Sequence, residues 1–187
     1  MNRMSDDKFN EYALGLDALR DDMKYSQKAG LPFIITAAII WALIAIATSL
    51  DLPMYTSDLV VFCCACPLMP IALLVGKILK VDILDKKNVL WKAGILFTCN
   101  QMIYLLIAMW AMSAVPEKMV MVYAMIFGAH YLPYSWLYKE KIYLVSAILI
   151  TIASLILGLT VPRNVLAIVL MCYEIVFAVV LYRTTRE

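Results

Sequence analysis

Charge is the first scarcity in this chain. Of 187 residues, 16% are Asp, Glu, Lys or Arg and 64% are hydrophobic. Soluble domains carry about a quarter charged residues, so a water-soluble globule is excluded. The 16 basic and 14 acidic residues leave a net charge of +2 with no basic tract, which excludes a nucleic-acid partner. Histidine occurs once, at His130, and no H-E-x-x-H, G-x-S-x-G or P-loop pattern is present. A histidine-rich metal centre is thereby ruled out, and neither a metal nor a cofactor is expected. The five cysteines (Cys63, Cys64, Cys66, Cys99, Cys172) fall inside apolar runs, which argues against a disulfide framework. Residues 1–30 are charged and lack the apolar core of a signal peptide, so the first apolar run is expected to serve as an uncleaved insertion signal.

What the chain does have is long apolar runs, each near the roughly 20 residues that cross about 30 Å of hydrocarbon as a helix. Six are expected: 31–50, 59–79, 93–114, 119–138, 142–159 and 165–182. Helices are the default because lipid-facing loops and open sheet edges leave backbone groups unpaired. The expected fold is therefore all-α, an integral membrane bundle of six transmembrane helices over residues 31–183, with a short tail at 184–187. Residues 1–30 read as an amphipathic cytoplasmic helix. Ser5 suits the N-cap, Asp6 and Asp7 suit the first turn, and Phe9, Tyr12, Ala13, Leu16, Leu19 and Met23 recur at helical spacing. That segment carries six acids against five bases, so it is expected to pack on the protein rather than on lipid.

Basic residues set the orientation. The N-terminal segment, the second and fourth connections and the tail hold 14 Lys and Arg, and the other connections hold 2. Both termini are thus expected in the cytoplasm. The opposite connections are only a few residues long, so any site belongs within the bundle or at its cytoplasmic rim. Trp91, Trp136, Tyr138 and Tyr143 fall where an inner aromatic belt belongs, and Tyr55 marks the outer side. Cys63 and Cys66 form a C-x-x-C spacing on one helix face. Without an outer cysteine pair to pass electrons on, they read as apolar packing, as do the many methionines.

Counting inward at 1.5 Å per residue puts Asn100, His130 and Glu174 each roughly 12–14 Å from the cytoplasmic boundary. Ionisable residues in hydrocarbon cost about 2.5–3.5 kcal/mol on insertion scales and tend to face the bundle interior, so a shared polar layer is expected. Pro133 has no N–H and its ring clashes with the carbonyl of Ala129, so a kink is expected beside His130. Tyr123, Phe127, His130 and Tyr134 recur at i, i+4, i+7 and i+11 and make one aromatic face. Imidazole titrates near neutral pH, and a His130–Glu174 pair suits proton relay. The same polar residues also suit plain interhelical hydrogen bonding.

The segments NVLWKAGILFTCNQ (88–101) and PEKMVMVYAMIFGAHYLPYSWLYKEKIY (116–143) resemble an uncharacterised family of small bacterial integral membrane proteins. The likeness lies in the Asn-Gln pair, the Pro-Glu before the fourth span, and the Gly-Ala-His…Pro-Tyr…Trp-Leu-Tyr-Lys run. It covers about a quarter of the chain. It implies a multi-pass protein of the bacterial cytoplasmic membrane and adds weight to Gln101, His130 and Pro133 without giving them a role. The expected function is binding, or proton-coupled transport, of a small amphipathic molecule. His130 and Glu174 are its titrating groups, and Asn100, Gln101, Tyr104 and Tyr134 orient the ligand beside Pro133. Two alternatives stand. A membrane-embedded enzyme acting on a lipid or isoprenoid would use His130 as general base but shows no activated nucleophile. A structural or regulatory subunit would use the polar layer only for packing. Membrane lipids are the expected surroundings, and the sequence sets no oligomeric state.

Overall fold

A computed structural model describes residues 6–186 and is helical throughout, with no strand among the described residues. The helices are α1 (Asp6–Ser26), α2 (Leu31–Ser49), α3 (Met54–Ala65), α4 (Leu68–Leu79), α5 (Trp91–Ala114), α6 (Met119–Ala129), α7 (Tyr131–Leu137), α8 (Lys141–Thr160) and α9 (Arg163–Thr184). Four of the stretches are long and apolar enough to cross a membrane: 28–49, 91–114, 141–160 and 163–184. α3 and α4 make a fifth if they count as one span, broken at Cys66–Pro67 and bent by 41°. α6 and α7, at 11 and 7 residues, are each too short to cross alone. This make-up fits a multi-pass membrane protein.

α2 is the central helix. It packs along α9 and against α3 and α4, with Ile40, Trp41 and Ile44 fully buried. α9 turns Leu166, Leu170, Glu174, Phe177 and Leu181 inward at helical spacing. α6 and α8 cross closely at Gly128. A Cβ there would lie 2.8 Å from Ile150 Cγ2 and 2.9 Å from the Thr151 backbone nitrogen. Small residues permit this close approach of helices. Several threonine hydroxyls inside the apolar helices are satisfied locally. Thr36 donates to the Pro32 carbonyl at 2.8 Å, Thr98 to Gly94 at 3.0 Å and Thr151 to Ala147 at 2.7 Å.

α1 reaches the bundle through its second half. Lys24 is paired with Glu140 at 2.9 Å, and Lys139 with Asp21 at 2.8 Å. Arg20 donates to the Trp136 carbonyl at 2.8 Å, and Asn88 to the Leu19 carbonyl at 2.7 Å. The expected apolar stripe is engaged only at this end. Met23 is buried, whereas Tyr12, Ala13 and Leu16 are exposed, because nothing in the bundle extends far enough to cover the first half. The expected N-cap Ser5 and the side chains of Asp6, Asp7 and Phe9 lie outside what the structure describes. Between α1 and α2 the chain turns sharply through Lys28, Ala29 and Gly30, all at positive φ. Gly30 suits this turn twice over. At φ +78° it meets no Cβ penalty, and a Cβ would sit 3.0 Å from both Tyr138 Cε2 and the Tyr143 hydroxyl.

Candidate functional site

The α6–α7 break falls at His130, three residues before Pro133, where the proline leaves the Ala129 carbonyl without its usual donor. The break lets His130 face a cavity between α2 and α4 on one side and α5, α6 and α7 on the other. Phe33, Ile34, Leu68, Phe127 and Tyr131 give it apolar walls. Thr98, Gln101, His130, Tyr134, Tyr138 and Tyr143 bring the polar groups, and Gly30 closes one end. The cavity holds about 40 Å³, room for a few waters at roughly 10–15 Å³ each. Half-buried Phe33, Leu68, His130 and Tyr134 border its open side.

The tyrosines are held by their hydroxyls. Tyr134 shares a 2.9 Å hydrogen bond with Thr98. Tyr138 donates to Gln27 Oε1 at 3.0 Å and Tyr143 to the Ala29 carbonyl at 2.7 Å. Tyr131 donates to Glu174 Oε2 at 2.8 Å, while Glu174 Oε1 is buried without a partner. Ser146 and Tyr173 share a further bond at 2.9 Å between α8 and α9. Some rings pack edge-on, with Tyr143 4.9 Å from Phe177 and His130 5.1 Å from Tyr134 between centroids, while Tyr134 stacks on Tyr138 at 5.9 Å. Edge-to-face pairs of this kind are rigid walls.

Among the described residues, neither the His130 imidazole nor the Gln101 carboxamide has a hydrogen-bond partner in the chain, and both line the cavity. Gln101 is only 6% exposed. His130 is half-buried and Gln101 buried, and with neither committed to a group of the chain both are available to a polar group that enters the cavity.

The structure sorts the expected site residues. His130, Gln101 and Tyr134 come together at the cavity, with Pro133 one helical step behind them. Glu174 does not reach His130. Its partner is Tyr131, so the expected imidazole–carboxylate pair is replaced by a tyrosine wall with the acid behind it. Asn100 and Tyr104 point away from the cavity and are exposed. They lie one position off the inward face set by Thr98, Gln101, Leu105 and Ala108, and one residue is about 100° around a helix of 3.6 residues per turn. Of the aromatic face, Tyr123 packs on Trp41 instead of lining the cavity. Tyr138 and Tyr143, expected at the interface, are each 2% exposed and belong to the site. Their signal was the Tyr134–Tyr138 spacing of four with a third tyrosine just beyond the turn.

A second polar centre lies at the far end of the bundle. Asp58 is fully buried, and Arg163 Nη1 stands 2.8 Å from its Oδ1 without an aligned hydrogen bond. Arg163 also donates to the Ser57 hydroxyl at 2.6 Å. Cys63, Cys66, Cys99 and Cys172 are exposed, Cys64 is half-buried, and all five are free.

A family model described as a family of unknown function (DUF7010) matches residues 16–184. The chain belongs to this family. The match takes in α2 to α9 and the docked half of α1, so the cavity and its tyrosines all lie within the DUF7010 region. Comparisons with curated proteins and with solved structures found no match.

Proposed function

We propose that this DUF7010 protein binds a small amphipathic molecule in the membrane. Its polar end would enter the cavity at His130 and Gln101, and its apolar part would lie along the open side bordered by Phe33 and Leu68. The carrying observation is the pair of polar groups without a partner in the chain, set in a cavity of aromatic and apolar walls. Tyrosine rings supply flat walls, and hydroxyls already committed to Thr98, Gln27, Ala29 and Glu174 keep those walls fixed. A cavity of about 40 Å³ takes one functional group, not a whole ligand. The reading therefore favours a molecule that remains mostly in lipid.

In this reading the six apolar stretches are six spans. α3 with α4 forms one broken span and α6 with α7 another, and residues 31–183 form the membrane domain. Both termini and α1 lie on the cytoplasmic side of a bacterial cytoplasmic membrane, supported by the 14 to 2 distribution of Lys and Arg. His130 and Glu174 are the titratable groups for any proton coupling, linked through Tyr131 rather than directly.

The test is co-purification. Protein prepared from native membranes is extracted and the extract examined by mass spectrometry, beside Gln101→Leu and His130→Ala prepared identically. A small molecule held by the wild type and lost from both variants, with their melting temperatures near wild type, supports the reading. The same compounds in all three preparations would leave only a packing role.

A further inference from the structure

We infer that a second binding site, for a zwitterion, lies at the end of the bundle away from α1. It takes a primary ammonium and an anionic oxygen group a few bonds apart, held by Glu117 and Lys118. The connections at this end are short, yet they enclose a cavity of about 230 Å³. Ligand pockets start at roughly 300 Å³, so the space suits a headgroup-sized molecule rather than a whole lipid. Met54, Met121 and Leu166 give it apolar walls, and it shares no lining residue with the His130 cavity.

Glu117, Lys118 and Arg163 are the charged side chains that border this cavity. Arg163 is matched by Asp58, 2.8 Å away. Glu117 and Lys118 are not matched. They are neighbours in the turn at Pro116–Lys118, and side chains one position apart on a helical turn do not face each other. Among the described residues no ion pair includes either of them. Lys118 Nζ is instead held on the Gly158 carbonyl at 3.0 Å, which leaves two of its N–H donors for a ligand. An anion alone would face the Glu117 carboxylate, and a cation alone would face Lys118. A zwitterion satisfies both, its ammonium donating to Glu117 and its anionic oxygen accepting from Lys118. α6 and α9 also begin at this cavity, and a helix start favours an anionic group. A phosphatidylethanolamine headgroup and a free zwitterion of the same size share this chemistry.

The experiment uses the full chain in maltoside micelles and has two arms. Calorimetry measures binding of glycerophosphoethanolamine beside its single-charge fragments, glycerol 3-phosphate and ethanolamine. Native mass spectrometry counts phosphatidylethanolamine kept by the protein against phosphatidylglycerol, which has no ammonium. Binding of the soluble probe assigns a free zwitterion, and retention of the lipid without it assigns a headgroup. In either arm Glu117→Gln and Lys118→Met should each weaken binding about 10-fold, the lower end for a hydrogen bond to a charged group. Lys118→Met also gives up the bond to Gly158. Glu117→Gln, at an exposed side chain with no bond in the chain, therefore decides the matter if the lysine variant fails to fold. The inference is overturned if neither zwitterion is preferred over its single-charge counterpart, or if Glu117→Gln binds as tightly as wild type.

Discussion

The link between Tyr131 and Glu174 is the most exposed point of the account. Glu174 is fully buried, its Oε2 accepts from Tyr131 at 2.8 Å and its Oε1 has nothing. Tyr131→Phe removes that donor and little volume, since the ring still packs on Phe127 and Phe177. Leaving a buried acceptor unpaired costs about 1–3 kcal/mol. Glu174→Leu alone strands the tyrosine hydroxyl at a similar cost, offset by removal of an acid from hydrocarbon. The double variant leaves neither group unpaired and should recover most of the loss, giving a coupling of about 1–3 kcal/mol. Reversible unfolding by SDS in mixed micelles measures the four stabilities. If the two single effects simply add, within about 0.5 kcal/mol, the bond is not the wall of the cavity and the reasoning fails.

Three further outcomes are expected. Gly128→Ala places a methyl group against the Thr151 backbone, which cannot step aside, and should cost about 1–3 kcal/mol in the same unfolding assay. Arg163→Met leaves Asp58 buried and unpaired, which should cost about 3–5 kcal/mol, and adding Asp58→Leu should restore most of it. At the docked end of α1, the Glu140 carboxylate bonded to Lys24 holds its ammonium above the usual 10.5. The folded-state pKa is the higher one, so the pair's contribution is full below about pH 10.5 and falls as pH climbs past that value. A spin label at Ala18 should gain mobility in this alkaline range, and Lys24→Met should remove the pair's part of the change.

Helices were legible in the sequence and the faces they turn inward were not. The runs in α2, α5, α8 and α9 are long enough that the cost of unpaired backbone in lipid dictates a helix. Pro133 signalled where α6 parts from α7, and the break between α3 and α4, not foreseen, falls at Cys66–Pro67. Counting residues led to the expectation that Asn100, His130 and Glu174 share one layer, but azimuth depends on which face each helix turns to its neighbours. Asn100 and Tyr104 miss the cavity by one position that Gln101 fills. Glu174 is inward, but Tyr131 stands between it and His130. Tyr138 and Tyr143 look like interfacial anchors because tyrosine often is one. The tight turn at Gly30 covers them from the α1 end, and such long-range closure leaves no local mark in sequence.

Because the chain holds one histidine, its imidazole can be observed without assignment. Protein labelled with ¹⁵N-histidine, free of tags, is measured by magnetic resonance in particles of native membrane, then after exhaustive exchange into synthetic phospholipid. A ligand held at His130 and Gln101 requires the imidazole nitrogen signals to move on exchange, to return when native membrane extract is restored, and to ignore the extract in Gln101→Leu. Signals that stay unchanged through exchange and restoration would contradict the binding site.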